Sequence, residues 1–149
     1  MRKNKFRWFA VALWMIVIFA FSHQAYSGRV TEKYLGEANI PVRKAGHISE
    51  FMVLFWLVRW ALLKDEREKQ IGTGVVRDTD SSESVNGTET RVIVLAFLIS
   101  IAYAASDEWH QGFVPGRSSS LADVAWDTSG ILFGASVILA VLKFRASRR

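Results

Sequence analysis

The 149 residues suffice for one domain, and half of them are apolar, gathered into a few runs. The absence of cysteine excludes disulfides, thiolate metal sites and cysteine nucleophiles. The formal charge is +5, but the basic residues flank the apolar runs instead of clustering, which signals membrane topology and excludes a nucleic-acid-binding patch. Gly72-Thr73-Gly74 lacks the rest of any phosphate-loop motif, and no strand precedes it.

The N-terminal segment carries Arg2, Lys3, Lys5 and Arg7, and Trp8 to Phe21 is then uninterrupted apolar. A bilayer-spanning helix needs roughly 20 residues. The first helix is therefore extended through Ser22-His23-Gln24-Ala25-Tyr26, over about 6–26. Ala25-Tyr26-Ser27 would also suit a leader cleavage site, but Trp8, Trp14, Phe19 and the polar exit favour a retained helix. Gly28 to Ala45 reads as a polar segment with helix-start cues at Asn39 and Pro41. The second apolar helix covers about 41–63 and is interrupted by Ser49, Glu50 and Arg59, the last near enough to its inner end to snorkel. Residues 64–90 are rich in charge, glycine, serine and threonine and read as a flexible loop.

The third helix covers about 91–111, and Pro115-Gly116 then marks a turn. Ser120-Leu121-Ala122-Asp123 matches a capping box and opens the fourth helix, over about 120–143. The expected fold is an all-α membrane protein, an antiparallel bundle of four transmembrane helices forming a single domain over 1–149. With the amino terminus inside, thirteen basic residues fall on inner segments and five on outer ones: Arg29, Lys33, Arg43, Lys44 and Arg117. That asymmetry predicts both termini in the cytoplasm.

Helical periodicity, at about 100° per residue, gathers the polar residues of each span. Tyr103, Asp107, His110 and Gln111 share one face of the third helix, with Glu108 at its edge, while Trp109 points away. Lys44, His47 and Glu50 recur every third residue on the second helix, and Asp123, Asp127, Gly130 and Gly134 share a face of the fourth. Gly130 and Gly134 form a small-xxx-small pair suited to close helix approach. Three helices thus present polar faces at the same depth, in the outer leaflet. Taken singly, His47 suits an interface, Asp123 a helix cap, Arg117 a turn and Lys44 headgroup-level snorkelling. Glu50 and Asp127 lie within apolar runs and require partners. A salt-bridge network fixing helix register is the structural alternative for the whole set.

Lys44-x-x-His47-x-x-Glu50, the run Ser106-Asp107-Glu108-x-His110-Gln111-x-Phe113-Val114-Pro115-Gly116-Arg117, Asp123 and Gly130 together resemble the VanZ-like family. The exit Phe21-Ser22-His23-Gln24 is similar to that family's serine-and-glutamine exit. One departure is Asp127, where the family usually has asparagine. The resemblance implies a multi-pass protein of the bacterial plasma membrane, in a family named after a protein linked to glycopeptide resistance and suggested to act on lipid or polyprenyl-linked headgroups.

Three functional classes stay open from the residues. For an enzyme, Asp107 and His110 form an acid–base pair, with His47, Glu50 and Glu108 as further catalytic candidates. Lys44, Gln111, Arg117, Asp123 and Asp127 are then substrate-binding, with Lys44 and Arg117 clamping an anion. Glu108, Asp123 and Asp127 could hold a divalent cation, although no spacing in the chain matches a defined ligand motif, and no cofactor is specified. The expected partner is a membrane lipid or lipid-linked envelope precursor. The other two classes are a non-catalytic lipid or antibiotic binder, and a transporter or flippase subunit, which four helices would support only as a homo-oligomer.

Overall fold

The computed structural model describes the backbone of residues 2–72, 82–117 and 119–148, and the side chains of 5–66, 87–117 and 119–148. Five α-helices follow in order: α1 (Arg2–Ser22), α2 (Ser27–Leu35), α3 (Asn39–Gly72), α4 (Ser82–Gln111) and α5 (Leu121–Ala146), with a 3₁₀ turn at Gly36–Ala38 before α3. No strand occurs among the described residues. Four helices are long and apolar enough to cross a membrane, namely α1, α3, α4 and α5. The protein is an all-α, multi-pass membrane protein.

The core lies along α3. Phe51, Leu54, Phe55, Val58 and Ala61 are completely buried, and α1, α4 and α5 all pack against this helix. Outward faces carry the exposed apolar side chains of a lipid-facing surface, among them Phe9, Ile16, Leu98, Phe133 and Leu139. Trp109 faces outward too, 72% exposed.

The glycine face of α5 meets α3. A Cβ on Gly130 would collide with the backbone carbonyl of Ile48, so the two helices touch backbone to backbone there. One turn on, Trp56 Nε1 donates to the Gly134 carbonyl at 3.1 Å, tying the same seam. Trp14 Nε1 donates to the Glu50 carbonyl at 2.9 Å and Tyr103 to the Met15 carbonyl at 2.6 Å, fixing α1 against α3 and α4. Hydrogen bonds of this kind hold helices together where the surrounding lipid supplies no hydrophobic driving force.

Several boundaries differ from the sequence reading. The first helix ends at Ser22, not near 26, and gains its length by starting at Arg2. Tyr26 adopts a left-handed conformation (φ 54°), and Arg117 takes the Phe21 and Ser22 carbonyls, so the chain turns there. The polar segment after it contains a helix, α2. Its apolar residues Val30, Tyr34 and Leu35 stay exposed, as suits a short amphipathic helix lying in the membrane interface. Residues 64–90, expected as a flexible loop, are helical through Gly72 and again from Ser82; residues 73–81 lie outside the described residues. The reason is that Asp65-Glu66-Arg67-Glu68-Lys69-Gln70 combines high polarity with good helix propensity, so it marks where α3 leaves hydrocarbon, not where it unwinds. Arg59, expected to snorkel, pairs with Glu89 of α4 at 2.6 Å. Trp8 Nε1 donates to Asp65 at 3.0 Å and Arg91 lies 3.8 Å from Glu66 at the same end of the bundle.

Gly130→Ala is expected to cost about 1–3 kcal/mol, because its methyl must displace backbone. Gly46→Ala, with nothing within 4 Å of the added atom, should be neutral or slightly stabilising. Thermal unfolding in detergent checks both, and equal midpoints for the two variants would refute the backbone seam.

Candidate functional site

One end of the bundle gathers the C-termini of α1 and α4 and the N-termini of α3 and α5. Reversing direction between successive spans brings four distant stretches of sequence there: Ser22–His23, Arg43–Glu50, Asp107–Arg117 and Ser120–Asp127. The three histidines of the chain all lie at this end.

His47, about two turns into α3 at the start of its apolar part, faces α5. Its Nδ1 stands 3.2 Å from Oδ1 of Asp127, an ion-pair distance without hydrogen-bond alignment. Asp127 has none of its surface exposed, and neither carboxylate oxygen receives a hydrogen bond from the described residues. The close α3–α5 approach at Gly130, one turn along from Asp127, is what allows this contact.

Asp107 belongs to a second set. Its Oδ2 accepts from the Ser22 hydroxyl at 2.7 Å and from Gln111 Nε2 at 2.8 Å, while its other oxygen is buried without a partner. All three side chains are almost wholly buried. Glu108 is held differently: Oε1 accepts the Ser120 backbone N–H at 2.7 Å, and Oε2 is buried and unpartnered. Glu108 therefore takes the reciprocal part of the expected capping box, and Asp123 does not. Ser120 Oγ completes the cap by accepting from Ala122 N at 3.0 Å.

The two residues expected as an acid–base pair make separate contacts. His110 Nε2 meets His23 Nδ1 at 3.1 Å, and both rings pack on Phe19. Lys44 also lies elsewhere than expected, with its ammonium over the Trp126 ring at 4.4 Å. Arg117 reaches back from the α4–α5 turn, donating through Nε and Nη2 to the carbonyls of Ser22 and Phe21, each at 3.2 Å. A guanidinium at the negative end of α1 is favourable. Burial, followed by the like charge of Arg43, holds the Arg117 pKa below its ordinary value, although a guanidinium remains charged at any physiological pH.

A cavity of about 170 Å³ opens between α1, α2, α3 and the α4–α5 turn. His47, Glu50 and Arg117 line it among the predicted residues; Ser22, Ser27 and Arg43 do so unpredicted. Ser22 connects the cavity to Asp107 and Gln111 behind it. The signal for Ser22 is the polar exit of the first apolar run, and for Ser27 and Arg43 the basic, serine-containing stretch between the first two spans. Among the described residues, Glu108, Asp123 and Asp127 do not combine into a group of three or more metal-ligating side chains.

Apolar spans enclosing buried carboxylates, a histidine and an arginine at one end define the chain as a polytopic membrane protein with a polar site inside its bundle. The sequence model of the VanZ/LLP1 family matches residues 6–143, and the chain belongs to that family. No curated protein and no solved structure matches it.

The role of Glu108 is separable by substitution. Glu108→Ala removes the acceptor for the Ser120 N–H and should cost about 1–2 kcal/mol, whereas Glu108→Gln keeps an acceptor and should cost less. Equal unfolding midpoints for the two variants would show that the cap contributes nothing.

Proposed function

We propose that the polar end faces the outside of the cell and that the protein acts there on a lipid- or polyprenyl-linked headgroup. Glycopeptide antibiotics act on envelope precursors at that surface, and a change in those precursors would connect this chemistry to glycopeptide susceptibility. The carrying observation is the His47–Asp127 contact beside a cavity that Glu50 and Arg117 also line. A buried carboxylate 3.2 Å from Nδ1 favours the proton on that nitrogen and leaves Nε2 to exchange a proton with a bound headgroup. Glu50 is placed to serve as the second acid–base group, and Arg117 to meet an anion. Asp107, with Ser22 and Gln111, then acts as a positioning residue that stiffens the cavity wall. His110, engaged with His23, is assigned no proton transfer in this reading.

Removing a general acid–base group slows a reaction by about 10²–10⁴-fold. His47→Gln is therefore expected to abolish the lipid change seen when cells with and without the protein are compared by lipid mass spectrometry, at unchanged membrane abundance. His110→Ala is expected to retain it. An active His47→Gln variant would leave non-catalytic lipid binding as the better reading.

Orientation is checked separately. A reporter fused after Arg149 should register cytoplasm, as should one near Ser82, and one near Gly36 should register the outside. The opposite pattern would place the cavity on the cytoplasmic surface.

A further inference from the structure

Arg43 makes no ion pair with a described acidic residue. It lines the cavity half-buried, and among the described residues it makes no ion pair or hydrogen bond. Its guanidinium lies across the first turn of α2, where an added Cβ on Gly28 would come within 2.6 Å of Nη1. A side chain at position 28 would therefore displace it. Arg117 faces the same cavity with Nη1 uncommitted, its other donors serving the end of α1. The two guanidiniums line the same cavity. Glu50 lines the cavity too, yet it forms an ion pair with neither.

The start of α2 adds neutral donors to this corner. No side chain caps that helix, and the Ser27 hydroxyl, which also lines the cavity, is buried without a partner. An uncapped helix start beside a buried, unpaired hydroxyl favours an anion, and two guanidiniums lining the same cavity suit an oxyanion such as a phosphate.

We propose that Arg43, Arg117 and Ser27, with the first turn of α2, form a phosphate site, so that the headgroup taken by this cavity is a phosphate ester. The site deepens the headgroup reading and rests on it only for what happens after binding. It also explains the placement of α2, whose exposed Val30, Tyr34 and Leu35 hold the helix in the membrane interface, where its start meets phosphates at headgroup depth.

The test uses full-length protein in nanodiscs of zwitterionic lipid, titrated with a short-chain phosphatidate and, separately, with inorganic phosphate. Wild type should bind the phosphatidate. Arg43→Gln should weaken binding at least about tenfold, the loss expected for a charge-assisted hydrogen bond. Ser27→Ala should weaken it several-fold, and Lys33→Gln, an equal charge loss on the exposed side of α2, should leave it unchanged. Arg43→Lys, which keeps the charge, should bind between wild type and Arg43→Gln and covers the case in which the glutamine variant misfolds. Inorganic phosphate bound as tightly as the lipid would support the phosphate site with a soluble ligand as its occupant. Wild-type affinity in both Arg43→Gln and Ser27→Ala, or equal weakening by Lys33→Gln, would overturn the site. His47→Gln separates the two proposals: unaltered phosphatidate binding with no lipid changed even by wild type leaves the phosphate site standing and removes the proposed chemistry.

Discussion

A carboxylate with no exposed surface, on a helix that crosses hydrocarbon, has to be met by the protein itself. Asp127 is that group, and its position dictates much of the bundle. His47 can approach to 3.2 Å only because α3 and α5 pack backbone against backbone, and they do so because residue 130 has no side chain. The seam and the ion pair are one device: glycine brings the helices together, and the closeness gives a buried charge its partner. Close side-chain packing on the fully enclosed face of α3, from Phe51 to Ala61, then holds α1 and α4 around the same axis.

The two ends of the bundle treat charge differently. At the end where α1 begins, Arg59 meets Glu89 at 2.6 Å, Trp8 meets Asp65 at 3.0 Å, and Arg7 donates to the Trp60 carbonyl at 2.8 Å. Those groups lock neighbouring helices. At the other end Asp107, Glu108 and Asp127 each keep a buried oxygen without a hydrogen bond, and Asp107 and Asp127 stand behind Ser22 and His47 of the cavity wall. A buried polar network is stabilising when every member is satisfied and costly when one is not. Among the described residues, three carboxylates with unsatisfied oxygens at the cavity end, against Arg59 Nε as the one unsatisfied charged group at the other, fit a site maintained for a ligand better than one maintained for stability.

The four spans, their alternating direction and the end at which polar residues meet are all readable in the sequence. Uninterrupted apolar runs report burial in lipid directly, and a 3.6-residue period reports which side chains share a face. Partner choice is not readable in that way. Asp107 and His110 share a face of one helix, yet one turns to Ser22 and Gln111 and the other to His23, because Asp107 meets the last residue of α1 and His110 the residue after it. Lys44 and His47 share a face as well, but the longer side chain bypasses the cavity for the Trp126 ring. Glu108 takes the capping role that local spacing assigns to Asp123, since a contact between helices can replace one within a helix. The short helix α2 escapes notice because its amphipathic pattern covers only nine residues of low overall hydrophobicity, and Ser27 at its start and Arg43 near the start of α3 go unrecognised.

Imidazole ¹⁵N spectroscopy tests most directly whether Asp127 holds His47, the contact on which the proposed chemistry depends. Only three histidines are present, so a ¹⁵N-histidine-labelled sample gives three sets of ring resonances, and His47→Gln identifies one by its loss. Asp127→Asn should shift the His47 set, reporting an altered Nδ1 environment, and leave the His23 and His110 sets in place. A His47 set unmoved by Asp127→Asn would contradict the pairing, and with it the acid–base role of His47.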